Sequence, residues 1–215
     1  RHINAPSNNL NNLLHLMHDA KLIWITPDAE QLIGKIARVS NPKNEDNPNV
    51  KGLIKYLIKH KHWSPFEMAS MCVEIQTTRA ISPQILRHRS FSFQEFSQRY
   101  AVATDLGQLH VPKLRRQDLD NRQNSIDDIP EVDQDRIITQ VERHYRDAED
   151  LYQYMLDQGV AKECAREVLP MGTTTRLYMS GTIRSWLHYV DLRARDGTQR
   201  EHMTITTTMA TTPMT

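Results

Sequence analysis

The sequence predicts a single α+β domain with a mixed or antiparallel sheet flanked by helices. Three observations lead there. The 215 residues are enough for one sizeable core and too few for two independent ones. Strand-like alternation and helix-like apolar stripes both occur, yet they mix without the regular spacing of βαβ units. No internal repeat is present.

Residues 1–20 read as a polar, Asn-rich leader, disordered or foreign to the native chain. It lacks an initiating Met and has no apolar core with a small-residue cleavage site. The domain is placed at 21–202 and opens with a short strand, Lys21–Ile25. A helix follows, with Thr26 as N-cap, Pro27 at its first position and Ala29, Leu32, Ile33 and Ile36 as its apolar stripe. After an Asn/Pro-rich loop, Val50, Leu53, Ile54, Leu57 and Ile58 repeat the stripe on a second helix. Met71, Val73, Ile75 and Thr77 alternate with Cys72, Glu74 and Gln76, as in a strand with one buried face. Ser82–Pro83 opens a short helix bearing QILRHR.

The polar segment from Thr104 to Val132 reads as a long loop, functional or disordered. A long helix runs from Asp133 to Gln158 and stops at Gly159, with Ile137, Val141, Tyr145, Ala148, Tyr152 and Met155 on one side. AKECAREVLP is a shorter helix closed by Pro170, TTTRLYMS a strand, and TIRSWLHYVDLRAR the last helix. Residues 203–215 form a Thr-rich tail without helical periodicity, for which no regular structure is expected.

Charge and composition exclude several function classes. Lys and Arg total 27 against 26 Asp and Glu, so no basic surplus exists to wrap nucleic acid. No apolar run approaches the roughly 18 residues of a membrane-spanning helix. Cys72 and Cys164 lack metal-ligand or redox spacing, which points to a reducing compartment. His60 and His62 have no third ligand nearby, so a metal is rejected. Neither a dinucleotide fingerprint nor a P-loop is present.

Any anion site must therefore be a local concentration of arginine. RHRSFSFQEFSQRY, Arg87 to Tyr100, is the strongest candidate. Arg87, Arg89, Ser97 and Arg99 could converge on a phosphate monoester, with Glu95 holding one arginine or accepting from a ligand. A solvated helix end with weak surface pairs is the alternative, and base stacking on the interleaved aromatics is a third. On the last helix Ile183, Trp186, Leu187 and Val190 form the apolar stripe. Arg184, His188, Asp191 and Arg195 share another face, and Arg193 lies about 180 degrees from Arg184 at the edge of the stripe. A half-buried arginine needs an anionic or polar partner, either a ligand or a structural carboxylate.

Arg87–His88–Arg89, seven residues, then Ser97 reproduces the signature of the flavin-dependent thymidylate synthases (the ThyX family). HWSPFE at His62–Glu67, AREVLP at Ala165–Pro170 and RSWLHYVDLRA at Arg184–Ala194 resemble further family motifs in the right order. The resemblance spans Lys21 to His202 and implies a ThyX-like fold. It also implies methylation of dUMP to dTMP with methylene-tetrahydrofolate as carbon donor, FAD as hydride carrier and NADPH as reductant. A cytoplasmic homotetramer is expected, with sites where subunits meet and no nucleic-acid or membrane partner. Gln84, Arg87, Glu95, Ser97, Gln98, Arg99 and Arg166 match dUMP contacts, and Arg193 the catalytic arginine at the uracil ring. Ser64, His88, Arg89, Arg184 and His188 match FAD contacts, with Arg87 and Glu95 near both ligands. Gln98 stands where the family often has glycine, Gly197 where it commonly has histidine, and the closing helix expected beyond His202 is replaced by the Thr-rich tail. That tail, together with the arginine- and aromatic-rich stretch Arg87–Tyr100, motivates the alternative of a non-catalytic nucleotide- or RNA-binding protein on the same scaffold.

Overall fold

The computed structural model describes residues 17–107 and 109–211; most of the polar leader, and the last four residues of the tail, lie outside them. In chain order the strands are β1 (Asp19–Ile25), β2 (Ser70–Thr78), β3 (Ser92–Glu95), β4 (Arg116–Gln117), β5 (Ser125–Ile126) and β6 (Thr174–Thr182). The α-helices are α1 (Ala29–Ala37), α2 (Lys51–Lys59), α3 (Ser82–Leu86), α4 (Glu131–Asp157), α5 (Lys162–Ala165), α6 (Ile183–Arg193) and α7 (Arg200–Thr211). β1, β2, β6 and β3 form one antiparallel sheet in that order, and β4 pairs with β5 in a small hairpin.

The expected alternation in β2 holds for Val73, Ile75 and Thr77, which are buried. Across the β2–β6 ladder Val73 faces Met179 and Ile75 faces Leu177. Ile81, Ile85, Phe91, Trp186, Tyr189 and Ile205 close the core over this sheet. A second cluster joins Ile33 of α1, Leu57 of α2 and Phe66 and Ala69 of the following turn. Ile183 and Leu187 pack against that second cluster, while Val190 packs against the first. The face of α6 is thus split between two cores, and Tyr189, absent from the expected stripe, is buried in the first.

Thr26 does not cap α1. Its hydroxyl donates to the Ser70 carbonyl at 3.2 Å and accepts the Ser70 N–H at 2.9 Å, stitching β1 to β2. The cap position falls to Asp28, in the left-handed region at φ 50, with no side-chain cap bond. In α4 only Ala148 and Tyr152 are buried; Ile137, at 43% exposure, faces out.

The tail departs most from expectation. Residues Arg200–Thr211 form α7, which packs against β1 and α6. Glu201, His202, Ile205 and Thr206 are buried on one face. The helical period is present once a histidine and a threonine count as interior residues. The threonines suit a helix because their hydroxyls fold back onto carbonyls one turn earlier. Thr204 donates to Arg200, Thr206 to His202, Thr207 to Met203 and Thr208 to Thr204, all at 2.9–3.0 Å. The leader likewise gives its last residues to the fold: His18 is buried and β1 starts at Asp19.

The long loop is organised at two places. A 3-10 turn covers Ala103–Leu106, and the Tyr152 hydroxyl accepts the Ala103 N–H at 3.0 Å. The β4–β5 hairpin is flanked by the pairs Lys113–Asp127 and Arg116–Asp128. Its tip is tied by Asp118, whose carboxylate accepts from the N–H groups of Asp120 and Asn121 and from the Asn124 amide.

Candidate active site

α3 is one turn long because Ile81 and Ile85 must both reach the core. Chain direction then places Arg87 and Arg89 outward and His88 half-buried between them. Phe91 returns to the core, and β3 pairs with the end of β6, Ser92 opposite Ser180 and Glu95 opposite Leu177. Opposite it, Gly181 leaves the space the Phe91 ring occupies; an added Cβ would lie 2.6 Å from that ring.

Arg193, at the end of α6, donates from Nε to His88 Nε2 at 3.0 Å. To accept, that ring nitrogen must be unprotonated, so His88 is neutral with its proton on Nδ1. Burial, then the Arg193 charge, pushes the His88 pKa below its ordinary value. The Tyr189 ring meets His88 edge-on at 4.8 Å, and the Tyr189 hydroxyl pairs with His202 Nε2 at 2.7 Å. Burial, with Arg193 and His88 nearby, pushes His202 down to about 3. Burial raises the Tyr189 pKa. This neutral stack backs a single half-buried cation.

The other candidate residues fall into separate groups. Glu95 accepts from Arg79 at 2.7 Å and from Thr175 at 2.9 Å. Arg99 gives its Nε to the Glu163 carboxylate at 3.0 Å, and Arg166 gives its Nε to the Glu163 carbonyl at 3.3 Å. Both arginines keep their terminal guanidinium nitrogens available. Ser97 turns the chain by accepting the N–H groups of Tyr100 and Ala101, and Gln98 beside it is buried. Ser64 is exposed at the start of a 3-10 turn over Ser64–Glu67, whose Glu67 pairs with Arg184. His188 meets Trp63 edge-on at 4.6 Å. Gln84 donates to Gln199 at 2.7 Å.

The structure thus joins His88 directly to Arg193 and joins Arg99 to Arg166 through Glu163. Among the described residues no side-chain hydrogen bond or ion pair links these groups to Glu95 or to the Ser64–Arg184–His188 region. Arg87 and Arg89 are exposed and have no ion pair or side-chain hydrogen bond among the described residues. Sequence reasoning missed Arg79, Thr175, Tyr189, Gln199, Glu201 and His202. For Gln199, Glu201 and His202 the available signal was TQREH, Thr198 to His202, which places five polar side chains a few residues after the arginine-bearing helix.

Among the described residues no three His, Cys, Asp or Glu side chains are placed to share a metal ion, and no helix is long and apolar enough to cross a membrane. Cys72 is buried, which raises its thiol pKa, and Cys164 is exposed.

Comparison with known proteins places the family and the fold. A family model for the thymidylate synthase complementing protein matches residues 21–213, α7 included. A probable flavin-dependent thymidylate synthase of Paramecium bursaria Chlorella virus 1 is 52% identical over 192 residues, covering 86% of this chain and 88% of that protein. A flavin-dependent thymidylate synthase of Synechocystis sp. is 51% identical over 176 residues, covering 82% and 80%. In three dimensions the chain superposes on a UMP/dUMP methylase, PolB from Streptomyces cacaoi, bound with 5-Br dUMP. The TM-score is 0.77 at 29% identity, over 90% of this chain and 88% of that one. With the closing helix present and these relatives named as thymidylate synthases, the non-catalytic alternative is not favoured. The chain belongs to the flavin-dependent thymidylate synthase family.

Proposed function

We propose that this protein converts dUMP to dTMP, taking carbon from methylene-tetrahydrofolate and reducing equivalents from NADPH by way of FAD. The observation that supports this best is the arrangement at Arg87–Arg89. Two exposed guanidinium groups, without ion pairs among the described residues, flank a neutral imidazole that orients a third. Guanidinium groups stay charged and present planar arrays of donors, which suits phosphate and the imide edge of a pyrimidine.

The donor set fits a flavin nucleotide beside a nucleoside monophosphate. Ser64, His88, Arg89, Arg184 and His188 would hold FAD. Gln84, Ser97, Gln98, Arg99 and Arg166 would hold dUMP, with Arg87 and Glu95 near both. When bound, FAD would carry hydride from NADPH to the methylene group delivered to C5 by the folate, reducing it to the methyl of dTMP.

Arg193 is the catalytic residue of this reading. It cannot be a general base, because its proton does not leave in proteins. It holds the uracil as an N3 anion, or strongly polarised toward one, and so raises electron density at C5, the carbon to be methylated. One well-placed donor of this kind contributes about 3 kcal/mol to the transition state. Ser97 serves as a ligand contact, with no nucleophilic role.

The candidate residues of one chain lie in separate groups, which supports sites completed by neighbouring copies in a homotetramer. The reading is tested by the absorption spectrum of the purified protein and by tritium release from C5-labelled dUMP. It expects bound flavin and release that requires both folate and NADPH. A colourless protein, inactive after FAD is supplied, would overturn it.

A further inference from the structure

The buried end of α7 holds a carboxylate that the proposed chemistry does not use. Glu201 is 5% exposed and meets Arg115, from the long loop, through both oxygens: Arg115 Nη1 to Oε1 at 2.8 Å and Nη2 to Oε2 at 3.0 Å. Arg115 is held in turn by Ser125 at 2.9 Å. Burial works against the Glu201 charge, but the Arg115 and Gln199 hydrogen bonds outweigh it and hold the carboxyl below its usual range. Glu201 is therefore an acceptor only. Gln199 Nε2 donates to Glu201 Oε2 at 3.0 Å, and Gln84 Nε2 donates to Gln199 Oε1 at 2.7 Å.

Only one sense of this chain satisfies every member. The ionised carboxylate must receive N–H, so the Gln199 amide turns its nitrogen inward and its oxygen toward Gln84. Gln84 must then give its own nitrogen to that oxygen. Its carbonyl oxygen is left to face away from Gln199. An amide is otherwise free to flip and offer either end.

We propose that Glu201, through Gln199, fixes Gln84 as a hydrogen-bond acceptor toward the nucleotide, making Glu201 and Gln199 positioning residues for a donor group of the substrate. That donor is a sugar hydroxyl of the nucleotide, because the imide nitrogen is the atom Arg193 polarises. The inference rests on the reading of Gln84 as a dUMP contact. It assigns the C-terminal helix and the long loop a shared part in substrate recognition.

Gln199 is exposed and its replacement leaves no buried charge unpaired, so Gln199→Ala is the variant that preserves the fold. The measurement is dUMP affinity of the FAD-loaded enzyme, with kcat and KM determined separately. Gln199→Ala is expected to raise Kd and KM for dUMP about three- to ten-fold, the size of one neutral hydrogen bond, with flavin content and kcat little changed. Gln84→Ala should cost at least as much, and adding Gln199→Ala to it should cost nothing more. If Gln84→Ala binds dUMP like the parent, the contact reading and the relay both fall. If Gln84→Ala weakens binding while Gln199→Ala does not, or the two effects simply add, the relay alone falls. Repeating the pair with the 3′-deoxy analogue identifies the donor. An effect of Gln199→Ala that disappears with the analogue supports the hydroxyl as donor, and one that persists overturns that assignment.

Discussion

Arg193 depends on one acceptor, and that dependence can be read in a pH profile. His88 has a depressed pKa, so it is neutral at pH 7 and accepts from Arg193. As pH falls through the lowered value, a proton occupies the accepting nitrogen and a second cation faces the guanidinium. Activity is thus retained through the ordinary histidine range and falls on an acid limb that lies below it, as pH drops through the lowered value. His88→Gln keeps an acceptor at similar reach without a titrating proton; its profile should lose that limb while retaining measurable turnover. An unchanged limb in His88→Gln would show that another group sets it. Arg193→Ala should keep FAD, seen by absorbance, and lose about 10²–10³ in kcat. Near-parental turnover in that variant would remove the polarising role. The signature triplet was legible from sequence because its residue types are rare together, whereas the Arg193–His88 bond joins positions 105 apart and needed the fold to appear.

At the scale of elements, α7 is where pattern reading failed, and the reason is chemical. A stripe was sought in aliphatic residues, while this helix buries His202 and Thr206 beside Ile205. Hydroxyls bonded back to the preceding turn behave as satisfied interior groups, so threonine here does what an aliphatic residue does elsewhere. The Thr26 cap failed for the opposite reason: its hydroxyl was claimed by the neighbouring strand. β2, α1 and α2 were legible because most of their burial follows apolar periodicity, although Ile58 of the α2 stripe is exposed and Cys72, on the other face of β2, is buried. Ile205 is fully buried against the sheet. Ile205→Ala should therefore destabilise the protein by about 2–5 kcal/mol, measured as a lower urea midpoint with an unchanged slope. A change below 0.5 kcal/mol would mean that α7 is not part of the cooperative fold. Gly181→Ala pushes on the Phe91 ring one turn from His88, and should cost about 1–3 kcal/mol by overpacking, checked by thermal melting.

Across the whole molecule, buried imidazoles set a limit on acid stability. Burial, then His110, pushes His18 down to about 4 despite the opposing pull of Glu201, and His202 lies at about 3. The folded chain keeps both neutral, whereas the unfolded chain binds protons near pH 6.5. Stability is therefore fully present above that value and falls as pH drops toward 4 for His18 and 3 for His202. Urea midpoints at pH 7 and pH 4.5 should differ by on the order of a few kcal/mol in unfolding free energy. His18→Asn should flatten that difference; an equally steep loss would assign it to other groups. The half-exposed length of α4 and the dispersed candidate residues predict a tetramer by light scattering, and a monomeric mass for the flavin-loaded enzyme would contradict it. Composition could not reveal assembly, since it records which residues exist and not which faces remain open.

The hairpin at Arg116–Ile126 is clamped on both arms by ion pairs, tied at its tip by Asp118, and anchored at its base by the buried grip of Arg115 on Glu201. Leu119, 93% exposed, stands at that tip. A backbone cut there would leave two polypeptides still locked into one working particle, and a peptide label spliced there would ride on the surface without loosening the interior.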